Sequence, residues 1–175
     1  PNEYVANFDL VGVDWEATSG FGYNREKSDR RAFFYNIGGV EAYDKANVNS
    51  GWRCWKFNSR ASDGTLYSTD NYSIFSSADF PMFRLAEMYL IYAEAQARLD
   101  GGTTTDSKAM GYIKELRDRA GMTTPSSINL DFILKERACE LMWEGHRRTD
   151  LIRYGYFTAM SFPWPYKGGI PDGKV

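Results

Sequence analysis

The stretch MFRLAEMYLIYAEAQARLDGG, residues 82–102, constrains the fold more than any other part of the chain. It starts after Pro81 and stops at Gly101–Gly102, and in between it is apolar on most sides. A helix of that kind is predicted to be buried rather than laid on a surface. Ala86, Leu90, Ala93 and Ala97 recur at a 4-3-4 spacing, so small side chains line one stripe and let a second helix approach closely. Glu94 precedes Arg98 by four residues, the favoured orientation for a helical ion pair.

A second helix is predicted from Thr105 to Ala120. Ala109, Ile113, Leu116 and Ala120 form its core stripe, while Lys108, Glu115 and Arg119 face outward. Gly121 supplies the stop and Pro125 follows. Two helices joined by a short Gly/Thr turn make an antiparallel hairpin, the unit of tetratricopeptide-like repeats. A third helix is predicted to begin near Asn129, a good N-cap, with Asp131 in its first turn and Leu130, Ile133/Leu134, Arg137/Ala138 and Leu141 on its buried side. Gly145 marks its end or a bend, and a short fourth helix over about 146–154 carries Leu151 and Ile152.

The first part of the chain has a different texture. It is rich in Gly, Asn, Ser, Asp and aromatic residues, and its segments 31–37 and 53–58 could be brief strands or extended loops. Three regions result: a loop-rich aromatic region at 1–81, a helical region at 82–154 and an irregular segment at 155–175. The fold class expected is mainly α, with tetratricopeptide-like hairpins after a partly extended N-terminal half. Aromatic residues make up 16% of the chain, many of them in polar, Gly-rich sequence where a core would not put them. With 21 Lys+Arg against 23 Asp+Glu the net charge is −2, which speaks against a surface that tracks nucleic-acid phosphates. Two cysteines, Cys54 and Cys139, allow one disulfide at most, and with a single His no metal site or cofactor is expected. No run of 18 apolar residues occurs, as a bilayer-crossing helix requires.

The densest chemistry lies in ELMWEGHRRTDLIRYG, Glu140 to Gly155. Glu144, Arg147, Asp150 and Arg153 recur every three residues with alternating sign, so neighbours meet on one face if the backbone stays helical through Gly145. Glu136, Glu140 and Glu144 form an acidic i,i+4 line that repels itself unless arginines of another helix answer it. Arg84, Arg98, Arg117 and Arg119 are available, and guanidinium–carboxylate forks fix how helices dock. The structural network expected is therefore Glu94, Arg117, Glu136, Glu140, Glu144, Arg147, Asp150 and Arg153. The functional rival is a glycosidase pair, which needs two carboxylates facing an open cleft without arginines beside them. His146 has no partner in a nucleophile motif, and no phosphate-binding loop occurs, so no catalytic residue is expected.

FRLAEMYLIYAEAQARL, AMGYIKELRDRAGM and ILKERACELMWEGHRRTDLIRYG together resemble the C-terminal region of the SusD/RagB family of outer-membrane nutrient-binding lipoproteins of Bacteroidetes. The matching positions include Arg84, Ala86–Glu87, Tyr89–Leu90, Tyr92 to Ala95, Arg117, Arg119 to Gly121, Glu136–Arg137, Glu140–Leu141, Glu144–Gly145, Arg147, Asp150–Leu151 and Arg153. The resemblance covers roughly Ser28 to Ile170. Family members are several times longer, so it implies an excised C-terminal part, with the lipid anchor and further helices elsewhere.

The resemblance implies non-catalytic capture of a glycan, or of a peptide, at the outer-membrane surface, and delivery to a SusC-type TonB-dependent transporter. Binding residues in the family come from loops, some of them upstream of the RLAEMYLIYAEA helix. In this sequence the expected ligand-binding residues are Trp15, Tyr23, Trp52 and Trp55, with Asn24 and Arg25 as polar partners, because sugar rings stack on rigid aromatics. Two alternatives stand beside it. One is a tetratricopeptide-like scaffold for protein partners. The other is a glycoside hydrolase, for which Asp14 and Glu16 beside Trp15 are the pair to inspect.

Overall fold

The helix that follows Pro81 forms at Leu85–Leu99 (α1), with Arg84 in extended backbone before it. The computed structural model describes residues 29–31, 34–35, 53–54, 56 and 79–157. Ala86, Leu90, Ala93 and Ala97 are buried along one stripe of α1. The left-handed Gly101 and Gly102 end it, and the Gly102 N–H donates back to the Ala97 carbonyl at 2.7 Å. The opposite side is not covered: Leu85 is 65% and Leu99 81% exposed, with Met88 and Ile91 also at the surface. The expectation of all-round burial therefore fails on that side, because only the small-residue stripe has helices packed against it.

The second helix, Ser107–Ala120 (α2), starts two residues later than the spacing suggests because Asp106 is the cap, its carboxylate accepting from the Lys108 and Ala109 N–H groups. Gly121 closes α2 at φ 75, and the Arg30 N–H donates to the Ala120 carbonyl at 2.9 Å beside it. Tyr112 stacks on Tyr89 at 4.2 Å, while Lys108 lies 4.9 Å from the Tyr92 ring, so α1 and α2 run antiparallel.

Short antiparallel pairs tie the connections together. Phe34–Tyr35 (β1) pairs with Arg53–Cys54 (β2), and Thr103–Thr104 (β3) pairs with Ile128–Asn129 (β4). The second pair delivers the chain to Leu130–Glu140 (α3), capped by the Asn129 side chain, which accepts from the Phe132 N–H at 2.8 Å. The core is Leu90, Ile113, Ile128 and Ile133, all fully buried where α1, α2 and α3 meet. The chain then turns through Leu141–Gly145, with Trp143 at φ 63 and Gly145 at φ 81, before Arg147–Arg153 (α4). Among the described residues no helix is long and apolar enough to cross a membrane.

Helix docking is fixed by charge. Glu136 accepts from Arg31 and Arg117, each at 2.6 Å. Glu140 meets Arg119 at 2.5 Å and Arg84 at 3.2 Å. Glu144 meets Arg84 at 2.7 Å and also Lys56, whose ammonium donates to the Glu140 carbonyl at 2.6 Å. On the other side Arg153 forks onto Glu94 with two contacts of 2.8 Å and reaches Asp150 at 2.8 Å, while Arg98 reaches Glu94 at 2.9 Å. Asp150, 1% exposed, is also held by the buried Arg137 at 2.9 Å.

The turn at 141–145 breaks the helix, so Glu144 and Arg147 do not pair as a continuous helix would require. Arg147 instead donates to the Leu134 carbonyl at 3.3 Å and has no carboxylate partner among the described residues. Arg119 is exposed on α2, as its outward spacing suggests, yet its guanidinium reaches α3. Lys108 and Glu115 remain at the surface.

Removing one partner of a buried pair leaves the other charge unanswered, at about 3–5 kcal/mol. Asp150→Ala is therefore expected to lower the melting temperature by about 10 °C, and Arg147→Ala, which loses one long bond to a carbonyl, by a few degrees at most. Calorimetric unfolding of both variants checks this contrast; equal losses would show that Arg147 carries a charge pair after all. A second expectation concerns acid. Burial opposes ionisation of Glu94 and Glu144, but hydrogen bonds from Arg153 and Arg98, and from Arg84 and Lys56, hold both carboxyls below their ordinary 4.5. A depressed folded value contributes stability that is present above pH 4.5 and lost as pH falls through the lower folded values. Melting temperature measured from pH 7 to pH 3 is expected to hold down to about pH 5 and then fall. A flat profile to pH 3 would contradict it.

Candidate functional site

Of the expected ligand-binding residues, Trp15, Tyr23, Asn24, Arg25, Trp52 and Trp55 all lie outside the described residues, as do Asp14 and Glu16. Their described neighbours are Arg53 and Cys54 in β2 and Lys56. Lys56 is anchored at the end of α3 through Glu140 and Glu144, which fixes residue 56 beside the acidic line.

The buried carboxylates of the ion-pair network are poorly suited to acid–base work. A glycosidase acid needs a carboxyl whose pKa is raised in an open cleft. Glu94 and Glu144 move the other way, and Glu94, Glu136, Glu140, Glu144 and Asp150 each contact at least one arginine. Cys139 is a free, buried thiol, and burial pushes its pKa up, so it is no thiolate nucleophile at neutral pH. His146 sits 3.5 Å from the Glu87 carboxylate. Among the described residues no group of His, Cys, Asp and Glu is placed to hold a metal ion.

Two concavities are lined by described residues. One, of about 340 Å³, is lined by Arg98, Asn129, Asp131, Arg153, Tyr154 and Tyr156. Its arginines are answered by Glu94, and the Tyr156 hydroxyl donates to Asp131 at 3.0 Å. The Tyr154 ring lies under both guanidiniums, 4.9 Å from Arg98 and 5.5 Å from Arg153. Burial first, then Glu94, pushes the Tyr154 hydroxyl up.

The other concavity, of about 530 Å³, lies at the turn between α3 and α4. It is lined by apolar side chains together with Trp143, His146, three arginines and Asp150. Sequence spacing does not point to it, because a helical period assigns Trp143 to a helix face and gives no sign of the turn that presents it. The available signal is the glycine two residues later, which marks a bend.

The SusD family model matches residues 6–170 of the chain. The starch-binding protein SusD of Bacteroides thetaiotaomicron is 35% identical over 150 residues, which cover 83% of this chain and 26% of that protein. A SusD-like protein, P25, of Formosa agariphila is 38% identical over 116 residues, or 61% of this chain and 21% of the relative. A SusD-like protein of Bacteroides ovatus is 34% identical over 73 residues, or 42% and 13%. The chain thus spans about a quarter or less of the length of these relatives. The motifs in and around α1, α2, α3 and α4 fall inside the matched range, and the chain belongs to the SusD family.

Proposed function

We propose that the chain is a glycan-binding, non-catalytic part of a SusD-type protein, which holds oligosaccharides at the cell surface for a SusC-type TonB-dependent transporter. The observation that carries this reading is the family match over residues 6–170, joined to the 35% identity with a starch-binding relative over most of the chain. The chemistry agrees with it. The buried acids Glu94, Glu136, Glu140, Glu144 and Asp150 are engaged by arginine or lysine, which suits a frame for docking helices better than hydrolysis.

In this reading recognition falls to the aromatic-rich 1–81 region. Trp15, Tyr23, Trp52 and Trp55 stack on the C–H faces of sugar rings, and Asn24 and Arg25 bond the hydroxyls. Rigid rings lose little entropy on ordering, which suits repeated contacts of modest strength. In this reading a lipid anchor attaches the protein to the membrane, and the outer-membrane surface is the site of action.

Isothermal titration with maltoheptaose, and a glycan array for other saccharides, tests the reading. Trp→Ala at positions 15, 52 and 55 and Tyr23→Ala are each expected to weaken binding, the strongest by about tenfold. Parental affinity in all four variants would remove this assignment of the site, and an array with no bound glycan would remove the function. A reducing-end assay on bound polysaccharide is expected to stay at background; steady release of reducing ends would favour a hydrolase.

A further inference from the structure

The cavity between α3 and α4 brings together a strained aromatic residue and three arginines around a single carboxylate, Asp150, and the frame uses only Arg137 of the three. Its volume of about 530 Å³ falls within the ordinary range for small-ligand sites. Leu141 and Met142 contribute an apolar lining. Trp143 also lines it, 64% exposed and at φ 63. A bulky residue in left-handed backbone is an outlier, and such strain persists only where the surroundings over-determine it.

The cations are the second anomaly. Arg147 lines the cavity half-buried, and its one hydrogen bond among the described residues goes to the Leu134 carbonyl at 3.3 Å. Burial disfavours its charged form more than Asp150 restores it. Arg148 lines the cavity as well, with its guanidinium over the Phe157 ring at 5.1 Å. Arg137 spends its Nε and Nη2 on Asp150 and leaves Nη1 buried without a partner. Three guanidiniums therefore face one carboxylate, Asp150, which Arg153 already shares. Arg137 is buried and Arg147 half-buried, and charge so placed is normally paired.

We propose that this cavity binds a carboxylate-bearing sugar unit, with the Trp143 ring on the sugar face and the Arg147 guanidinium on its carboxylate. A guanidinium matches a carboxylate with two parallel hydrogen bonds, and an indole matches the flat C–H face that a simple anion lacks. The choice of a sugar as carrier rests on the glycan-binding reading above; the demand for an anion rests on the arginines alone. Its lining comes from residues 137–150, and it selects acidic over neutral saccharides.

Titration calorimetry of the 175-residue chain with trigalacturonate and with neutral galactotriose tests it, alongside Trp143→Gly and Arg147→Gln. Glycine adopts positive φ without strain, so Trp143→Gly removes the ring while leaving the melting temperature at or above the parental value. The acidic trisaccharide is expected to bind about tenfold or more tighter than the neutral one, the worth of a charge-assisted hydrogen bond, and each variant is expected to lose that margin. Absent or unselective trigalacturonate binding overturns the site, and so does binding that survives both substitutions in folded protein. If neutral glycans still bind through the upstream aromatics in that case, the function proposed above stands and only this cavity falls.

Discussion

Three buried carboxylates within nine residues of sequence set the conditions for everything packed around them. Glu136 and Glu140 are each 3% exposed and Glu144 is 8% exposed, so none can rely on water to moderate the repulsion among them. Cations must therefore arrive from elsewhere, and they come from distant stretches of chain: Arg31, Lys56, Arg84, and Arg117 with Arg119. Each arrival fixes a different segment against the end of α3. Hydrophobic burial alone would not do this, because apolar contact is non-directional and tolerates sliding, whereas a guanidinium fork has one geometry. The desolvation cost of such pairs leaves little net stability, so their contribution is to register and to docking angle.

How far this was legible in the sequence depends on the distance over which each contact acts. Caps, stops and the small-residue stripe of α1 are local, and Asn129, Gly121 and the Ala86–Leu90–Ala93–Ala97 spacing each act where the sequence places them. The acidic line could be read as needing arginine, since like charges at i,i+4 repel. Its partners Arg31 and Lys56 could not be read, because a contact spanning more than 80 residues leaves no periodic trace. Helical period also reports only which side chains share a face. It does not say whether a neighbour covers that face, so Leu85 and Leu99 of an apparently all-apolar helix stand in solvent. For the aromatic residues upstream, legibility rests on family resemblance, since those positions lie outside the described residues.

The break at 141–145 separates two roles within one charged stretch. In a continuous helix Glu144, Arg147, Asp150 and Arg153 would neutralise one another along a single face. The left-handed Trp143 and Gly145 turn the chain instead, sending Glu144 back to Arg84 and Lys56 while α4 starts in a new direction. The family match runs through this turn, and the structure assigns the residues on its two sides to different partners.

The consequence is an uneven distribution of charge. Arg137 and Arg153 face acids they can hold, and with Asp150 and Glu94 they clamp α4 onto α3 and α1. Arg147 and Arg148 are left on the cavity side with a carbonyl and an aromatic ring for company. If every arginine were answered internally, the stretch would be a frame and nothing more. Because those two have no acid partner among the described residues, the same turn that locks the helices also leaves a positively charged, partly apolar hollow beside an exposed indole. Frame and site are therefore adjacent products of one backbone reversal. Straightening the turn would satisfy Arg147 only by drawing Glu144 away from the cations that hold α1 in place.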